Sequence, residues 1–124
     1  MNFKMVHTEV HVLDLDASLA FYKEALGLEP VREKGPEDGS WKIVFLKNDQ
    51  TDYQLELTWN LGRTEPYDNG GGDIHLAFTV DDYDAALAHH TQMGCVVKVN
   101  EHMGIYFIED PDGFWIEIIP AKRS

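Results

Sequence analysis

The 124-residue chain has a single cysteine, Cys95, and therefore no internal disulfide to staple it. It is short of cations: ten Lys and Arg stand against 22 Asp and Glu, for a formal net charge of −12. A field of that sign repels phosphate backbones and leaves no basic footprint, which argues against nucleic acid as a partner. No apolar run approaches the ~18–20 residues that would span a bilayer. The opening Met1-Asn2-Phe3-Lys4-Met5 lacks the apolar stretch of a secretory signal. Gly70-Gly71-Gly72 lacks the strand-to-helix setting of a phosphate loop and reads as linker. What remains is 44% hydrophobic and 11% aromatic residues, enough for the core of one ordinary domain and too much for wholesale disorder. These features together describe an acidic cytoplasmic protein with no membrane or nucleic-acid partner.

The chain repeats itself. Residues 7–20, from His7-Thr8-Glu9-Val10-His11-Val12 to Leu19-Ala20, match residues 75–88, from His75-Leu76-Ala77-Phe78-Thr79-Val80 to Leu87-Ala88. Both halves then close alike, with Phe45-Leu46 leading to Gln54-Leu55-Glu56-Leu57 and Phe107-Ile108 leading to Trp115-Ile116-Glu117-Ile118. In the first half, Met5–Leu13 alternates as a strand. Asp14 or Asp16 caps a helix with Leu15, Leu19, Tyr22 and Leu26 at helical spacing, and Gly27 stops it. Strands follow near Glu29–Lys34, Trp41–Lys47 and Tyr53–Trp59. The second half repeats the order: strand Ile74–Val80, a helix from Asp82 to about Met93, and strands near Val96–Asn100, Gly104–Ile108 and Phe114–Ile119. Asp110-Pro111-Asp112-Gly113 is a turn. The expected fold is α+β: two βαβββ modules, about 5–59 and 74–120, joined by a linker at 60–73 and forming a curved mixed sheet within one domain, 1–124.

Strand parity then sorts the polar residues. His7, Glu9 and His11 share the face opposite Val6, Thr8, Val10 and Val12, and Glu56 shares the face of Gln54 and Thr58. In the second half His75 and Glu117 leave the apolar faces of their strands in the same way. If a pseudo-twofold relates the halves, His7 is equivalent to His75 and Glu56 to Glu117. Two imidazoles and two carboxylates converging on one concave face would make an N₂O₂ metal site suited to Ni²⁺, Co²⁺, Mn²⁺, Fe²⁺ or Zn²⁺. Around an octahedral ion they would leave two positions for substrate oxygens. Glu9 faces the same cavity, where it tunes His7 or is simply solvated. His89 and His90 read as surface residues, with His90 partly packed, and Cys95 reads as buried core.

The His7-Thr8 start, Leu55-Glu56-Leu57-Thr58-Trp59-Asn60, Ile74-His75-Leu76-Ala77 and Glu109-Asp110-Pro111-Asp112-Gly113-Phe114-Trp115-Ile116-Glu117 resemble glyoxalase I, the lactoylglutathione lyase family of the vicinal oxygen chelate superfamily. The resemblance covers nearly the whole chain. It implies metal ligands at His7, Glu56, His75 and Glu117, with Ni²⁺ or Co²⁺ as the expected ion and Zn²⁺ as the alternative. It implies isomerisation of the hemithioacetal of methylglyoxal and glutathione to S-lactoylglutathione through an enediolate, with Glu117 as the base and Glu56 across the metal from it. It also implies a homodimer whose sites lie between subunits.

The position of the family's first-strand arginine is His11 here, about 13 Å beyond His7 at ~3.3 Å per residue. With Asn60 it is the expected contact for the far end of the thiol. The segment Asn100-Glu101-His102-Met103-Gly104 lacks the basic loop seen in many relatives. Two other readings keep the scaffold. One is a metalloenzyme with a different thiol or substrate: an epimerase of coenzyme A esters, a thiol transferase, or a ring-cleaving dioxygenase, against which the fourth ligand argues. The other is a non-enzymatic drug-binding resistance protein.

Overall fold

Strand alternation gives way to helical spacing at Asp14, and the computed structural model, which describes residues 1–122, shows how the switch is made. The Asp14 carboxylate accepts the Ala17 N–H at 3.0 Å, satisfying one of the donors that the first turn leaves open. Gly27, in the left-handed region at φ 66°, ends the helix and donates its N–H to the Lys23 carbonyl. The second half uses the same device: Asp82 accepts from Ala85 at 3.0 Å, and Gly94 closes the helix at φ 76°.

Two compact units result, Met1–Tyr67 and a second beginning at Asp68. In the first, the order is β1 (His7–Val12), α1 (Leu15–Leu26), β2 (Glu29–Lys34), β3 (Trp41–Lys47) and β4 (Gln54–Asn60). In the second it is β5 (His75–Val80), α2 (Tyr83–Met93), β6 (Val96–Asn100), β7 (Ile105–Glu109) and β8 (Trp115–Pro120). Each unit builds a four-stranded mixed sheet, ordered β1-β4-β3-β2 and β5-β8-β7-β6. The first and last strands of each module pair in parallel, and the remaining pairs are antiparallel. The expected duplication of βαβββ modules is therefore the observed fold. Both sheets also carry a register shift at the same place, between Pro30 and Arg32 in β2 and between Val96 and Lys98 in β6.

The first core gathers Val10, Val12, Tyr22, Val44, Leu46, Leu55 and Leu57; the second gathers Tyr106, Ile108, Phe114, Ile116 and Ile118. Each such buried side chain contributes about 1.5–3 kcal/mol. Along α1 the buried residues are Ser18, Tyr22 and Ala25, so small residues join Tyr22 where the leucine pattern pointed to larger ones. Ile74, which alternation along 74–80 would put on the face of Leu76 and Phe78, is exposed and lies one residue ahead of β5. His90 is not a surface residue: it is buried, with Nδ1 2.7 Å from the Tyr106 hydroxyl. Burial pushes the pKa of that phenol upward. Cys95 is buried beside them, as expected.

Asp14→Ala and Asp82→Ala each remove one cap of the same kind. Each is expected to lower unfolding stability by about 1 kcal/mol in chemical denaturation. A change near zero at either position would show that the terminal donor is satisfied without the carboxylate.

Candidate metal centre

Parallel pairing of β1 with β4 places Glu9 opposite Glu56 and His7 opposite Gln54. His7 therefore sits two residues before the partner of Glu56 on the same face. Its Nε2 lies 3.3 Å from Glu56 Oε1. The imidazole is half-exposed while the carboxylate is buried, at 6% residual exposure. The Thr58 hydroxyl stands 2.9 Å from Glu56 and 2.9 Å from Glu9, with one proton to offer two carboxyl groups. Burial, then hydrogen bonding with Glu9, pushes the Glu56 pKa up. The hydrogen bond from Glu56, opposed by desolvation, holds that of Glu9 down. Of the two carboxyls, Glu56 is the one whose surroundings favour the protonated form.

The second unit repeats the geometry with one difference. His75 lies opposite Trp115, and Glu117 lies opposite Ala77. His75 Nε2 is 3.0 Å from Glu117 Oε1. Where Glu56 meets a second carboxylate, Glu117 meets a methyl group. The turn before β8 fixes this strand's entry. The buried Asp110 carboxylate accepts N–H groups of Asp112 and Phe114, each at 2.9 Å, and the Gly113 N–H reaches the Asp110 carbonyl at 3.0 Å.

Each pair has an aromatic wall. Phe45 lies opposite Glu56 and its ring meets His7 edge-on at 5.6 Å; Phe107 lies opposite Glu117 and meets His75 edge-on at 5.2 Å. The repeated Phe45 and Phe107 were visible in the sequence, but only register shows that they flank the ligand pairs. The outer side of Phe45 is covered by the Arg32 guanidinium, 4.0 Å from the ring centroid.

His11 and Asn60, at the ends of β1 and β4, meet a residue that sequence reasoning missed. The Tyr67 ring stacks at 5.0 Å from His11, and its hydroxyl accepts from Asn60 Nδ2 at 3.3 Å. Arg63 lies over the same ring at 4.1 Å and donates to the carbonyls of Glu65 and Pro66. Tyr67 lies in the linker segment, where periodicity carries no signal, so nothing in the sequence pattern marks it.

The donor spacing fits a divalent ion. Two ligand atoms each about 2.1 Å from one octahedral ion stand about 3.0 Å apart when adjacent. The observed nitrogen–oxygen separations are 3.3 and 3.0 Å. Within each unit the donors number two, and among the described residues no group of three or more His, Cys, Asp or Glu stands ready for a metal.

Comparison with known proteins bears on the whole chain. The sequence profile of the Glyoxalase/Bleomycin resistance protein/Dioxygenase superfamily matches residues 4–118. The chain is 39% identical to a lactoylglutathione lyase of Neisseria meningitidis, over 98% of this chain and 93% of that protein. It is 37% identical to a probable lactoylglutathione lyase of Synechocystis, over 97% of both. The structure resembles the trypanothione-dependent glyoxalase I of Leishmania major with a TM-score of 0.84 and 31% identity, covering 98% of this chain and 88% of that one.

Glu9→Gln removes the second carboxylate facing Glu56 and leaves both expected ligands of this unit in place. For metal-free protein at neutral pH, the melting temperature is expected to rise by roughly 2–5 °C. Glu56, with its pKa raised by folding, favours the native state at low pH, and that contribution is lost as pH rises through the folded value. The gain from Glu9→Gln should therefore shrink on acidification, where the wild-type pair holds its proton. An equal or lower melting temperature at neutral pH would rule out like-charge repulsion here.

Proposed function

Because the chain belongs to the glyoxalase/bleomycin resistance protein/dioxygenase superfamily, we propose that it is a metal-dependent glyoxalase I acting on the hemithioacetal of methylglyoxal and glutathione. The observation that carries this reading is the recurrence of one His–Glu pair, at 3.3 and 3.0 Å, on the same strands of both modules. The names of the curated relatives point the same way.

His7, Glu56, His75 and Glu117 would together hold one divalent ion, with Ni²⁺ or Co²⁺ expected ahead of Zn²⁺. When bound, the ion would polarise the adjacent substrate oxygens and stabilise the charge of an enediolate. The protein's own task is to move one proton between neighbouring carbons. We assign that step to Glu117, whose cross-strand neighbour, Ala77, offers its carboxylate no hydrogen bond. Glu56 is held by Thr58 and Glu9 and serves as the fixed ligand. Phe45 and Phe107 stand edge-on to the two imidazoles. His11 and Asn60, joined through Tyr67, would meet the far end of the thiol, with Arg63 nearby on the same ring.

No helix of the described residues is long and apolar enough to cross a membrane, and a cytoplasmic location is part of the proposal. So is a homodimer: β1 and β2 leave edges on the first sheet, β5 and β6 on the second, and such edges are ordinarily covered. A monomer in sedimentation at working concentration would remove that element.

Metal-stripped protein reloaded separately with Ni²⁺, Co²⁺, Mn²⁺ and Zn²⁺ should form S-lactoylglutathione, fastest with Ni²⁺ or Co²⁺. Tight metal binding without thioester formation would sink the assignment of this substrate. Glu117→Gln, checked for bound metal, should lower kcat by about 10²–10⁴-fold, the usual contribution of a positioned base. Near-normal turnover of that metal-loaded variant would place the base elsewhere.

A further inference from the structure

Cations are scarce in this chain, yet three of its ten line one cavity of the first unit, of about 680 Å³. Lys4 comes from the segment before β1, Arg32 from the shifted position of β2, and Lys47 from the end of β3. The single carboxylate on the same wall is Asp52, so the lining carries a formal charge of +2 within a chain of −12. Three of the other basic side chains are already engaged: Lys23 pairs with Glu29 at 3.4 Å, Lys42 pairs with Glu33 at 3.5 Å, and Arg63 is tied to backbone carbonyls. Among the described residues, none of the cations lining the cavity forms an ion pair with a carboxylate. Their donors are uncommitted, and the amide of Gln54 adds another.

The cavity opens onto His7, which is one of its lining residues. A substrate held at His7 and Glu56 would therefore have this basic wall as its neighbour. Arg32 is placed for that role by the bulge of β2 and by its stack on Phe45, whose ring also meets His7. A guanidinium braced in this way gives up little freedom on meeting an anion. His11 and Asn60 lie toward the other end of β1 and β4, so the cavity is separate from the end where they would act.

We propose that the Lys4–Arg32–Lys47 cavity is an anion subsite that receives a carboxylate or phosphate group of the substrate. The inference rests on the glyoxalase reading for what the substrate is, and on the cavity alone for what it binds. The same anionic chemistry has two sources: a carboxylate of the thiol, or a charged substituent on the 2-oxoaldehyde. For a chain whose first strand carries His11 instead of the family's arginine, such a wall would return cationic recognition to the site.

The test uses the metal-loaded full chain and its Lys4→Ala/Lys47→Ala double variant, both checked for metal content and native circular dichroism. Inorganic phosphate is titrated calorimetrically into each. Wild type should bind it about fivefold to tenfold more tightly, as expected for two part-exposed charges. The difference should collapse in roughly 0.5 M salt as screening shortens. Phosphate sitting on the metal would bind both proteins equally, and equal binding or none overturns the subsite.

S-methylglutathione is then titrated into both proteins, and kcat/KM is compared for methylglyoxal and a 2-oxoaldehyde bearing a terminal carboxylate. Weaker S-methylglutathione binding by the variant assigns the anion to the thiol. A selective loss of kcat/KM with the carboxylated oxoaldehyde assigns it to the carbonyl partner. Phosphate binding with neither effect overturns the link to substrate. If no metal supports turnover while phosphate discrimination persists, the isomerase reading fails and the anion subsite stands.

Discussion

Parallel pairing between the first and last strand of each module is the constraint on which the geometry of the two His–Glu pairs depends. It sets the imidazole two residues before the partner of the carboxylate, in β1–β4 and again in β5–β8. A slip of one residue would turn His7 or His75 to the apolar side and bring a core side chain out. The register is held from both sides. Val10, Val12, Leu55 and Leu57 must stay buried in the first sheet, and Ile116 and Ile118 in the second. The Asp14 and Asp82 caps and the Gly27 and Gly94 stops fix where each helix leaves and returns to its sheet. The polar pair is thus positioned by the hydrophobic face behind it.

On this repeated scaffold the two carboxylates have diverged through their neighbours. Glu56 is buried against Glu9 and the shared hydroxyl of Thr58, so its orientation is determined by hydrogen bonds. Glu117 is opposite Ala77, which offers no hydrogen bond and little bulk. Glu56 answers to a hydroxyl and a second carboxylate besides its imidazole, while Glu117 has its imidazole, His75, at 3.0 Å. The difference comes from two pairs of repeat-equivalent positions, Glu9 against Ala77 and Thr58 against Ile119. Its physical content is a competing carboxylate in one module and a methyl group in the other.

Much of this could be read directly from the residue order. Alternation in Thr8-Glu9-Val10-His11-Val12 sorts the faces of β1, and the recurrence of His7 and Glu56 as His75 and Glu117 singles out the ligand candidates. The strands at 29–34, 41–47 and 96–100 fall where alternation and their flanking turns put them. The less legible residues depend on contacts remote in sequence. His90 reads as at most partly packed from its place in α2, but the hydroxyl of Tyr106, sixteen residues on, provides a partner that permits full burial. Tyr67 lies in a segment without periodicity and gains its place only by meeting His11 and Asn60.

Sequence by itself determined the duplication, the βαβββ order, the ligand candidates and the family, because these rest on local periodicity, capping chemistry and residue identity. Tertiary structure decided the rest: the His–Glu separations, the opposing of Glu9 to Glu56, the Phe45 and Phe107 walls, and the gathering of Lys4, Arg32 and Lys47 around one cavity. Those features are distances between strands brought together by register and burial. No local pattern encodes them, since they exist only once the hydrophobic faces have closed.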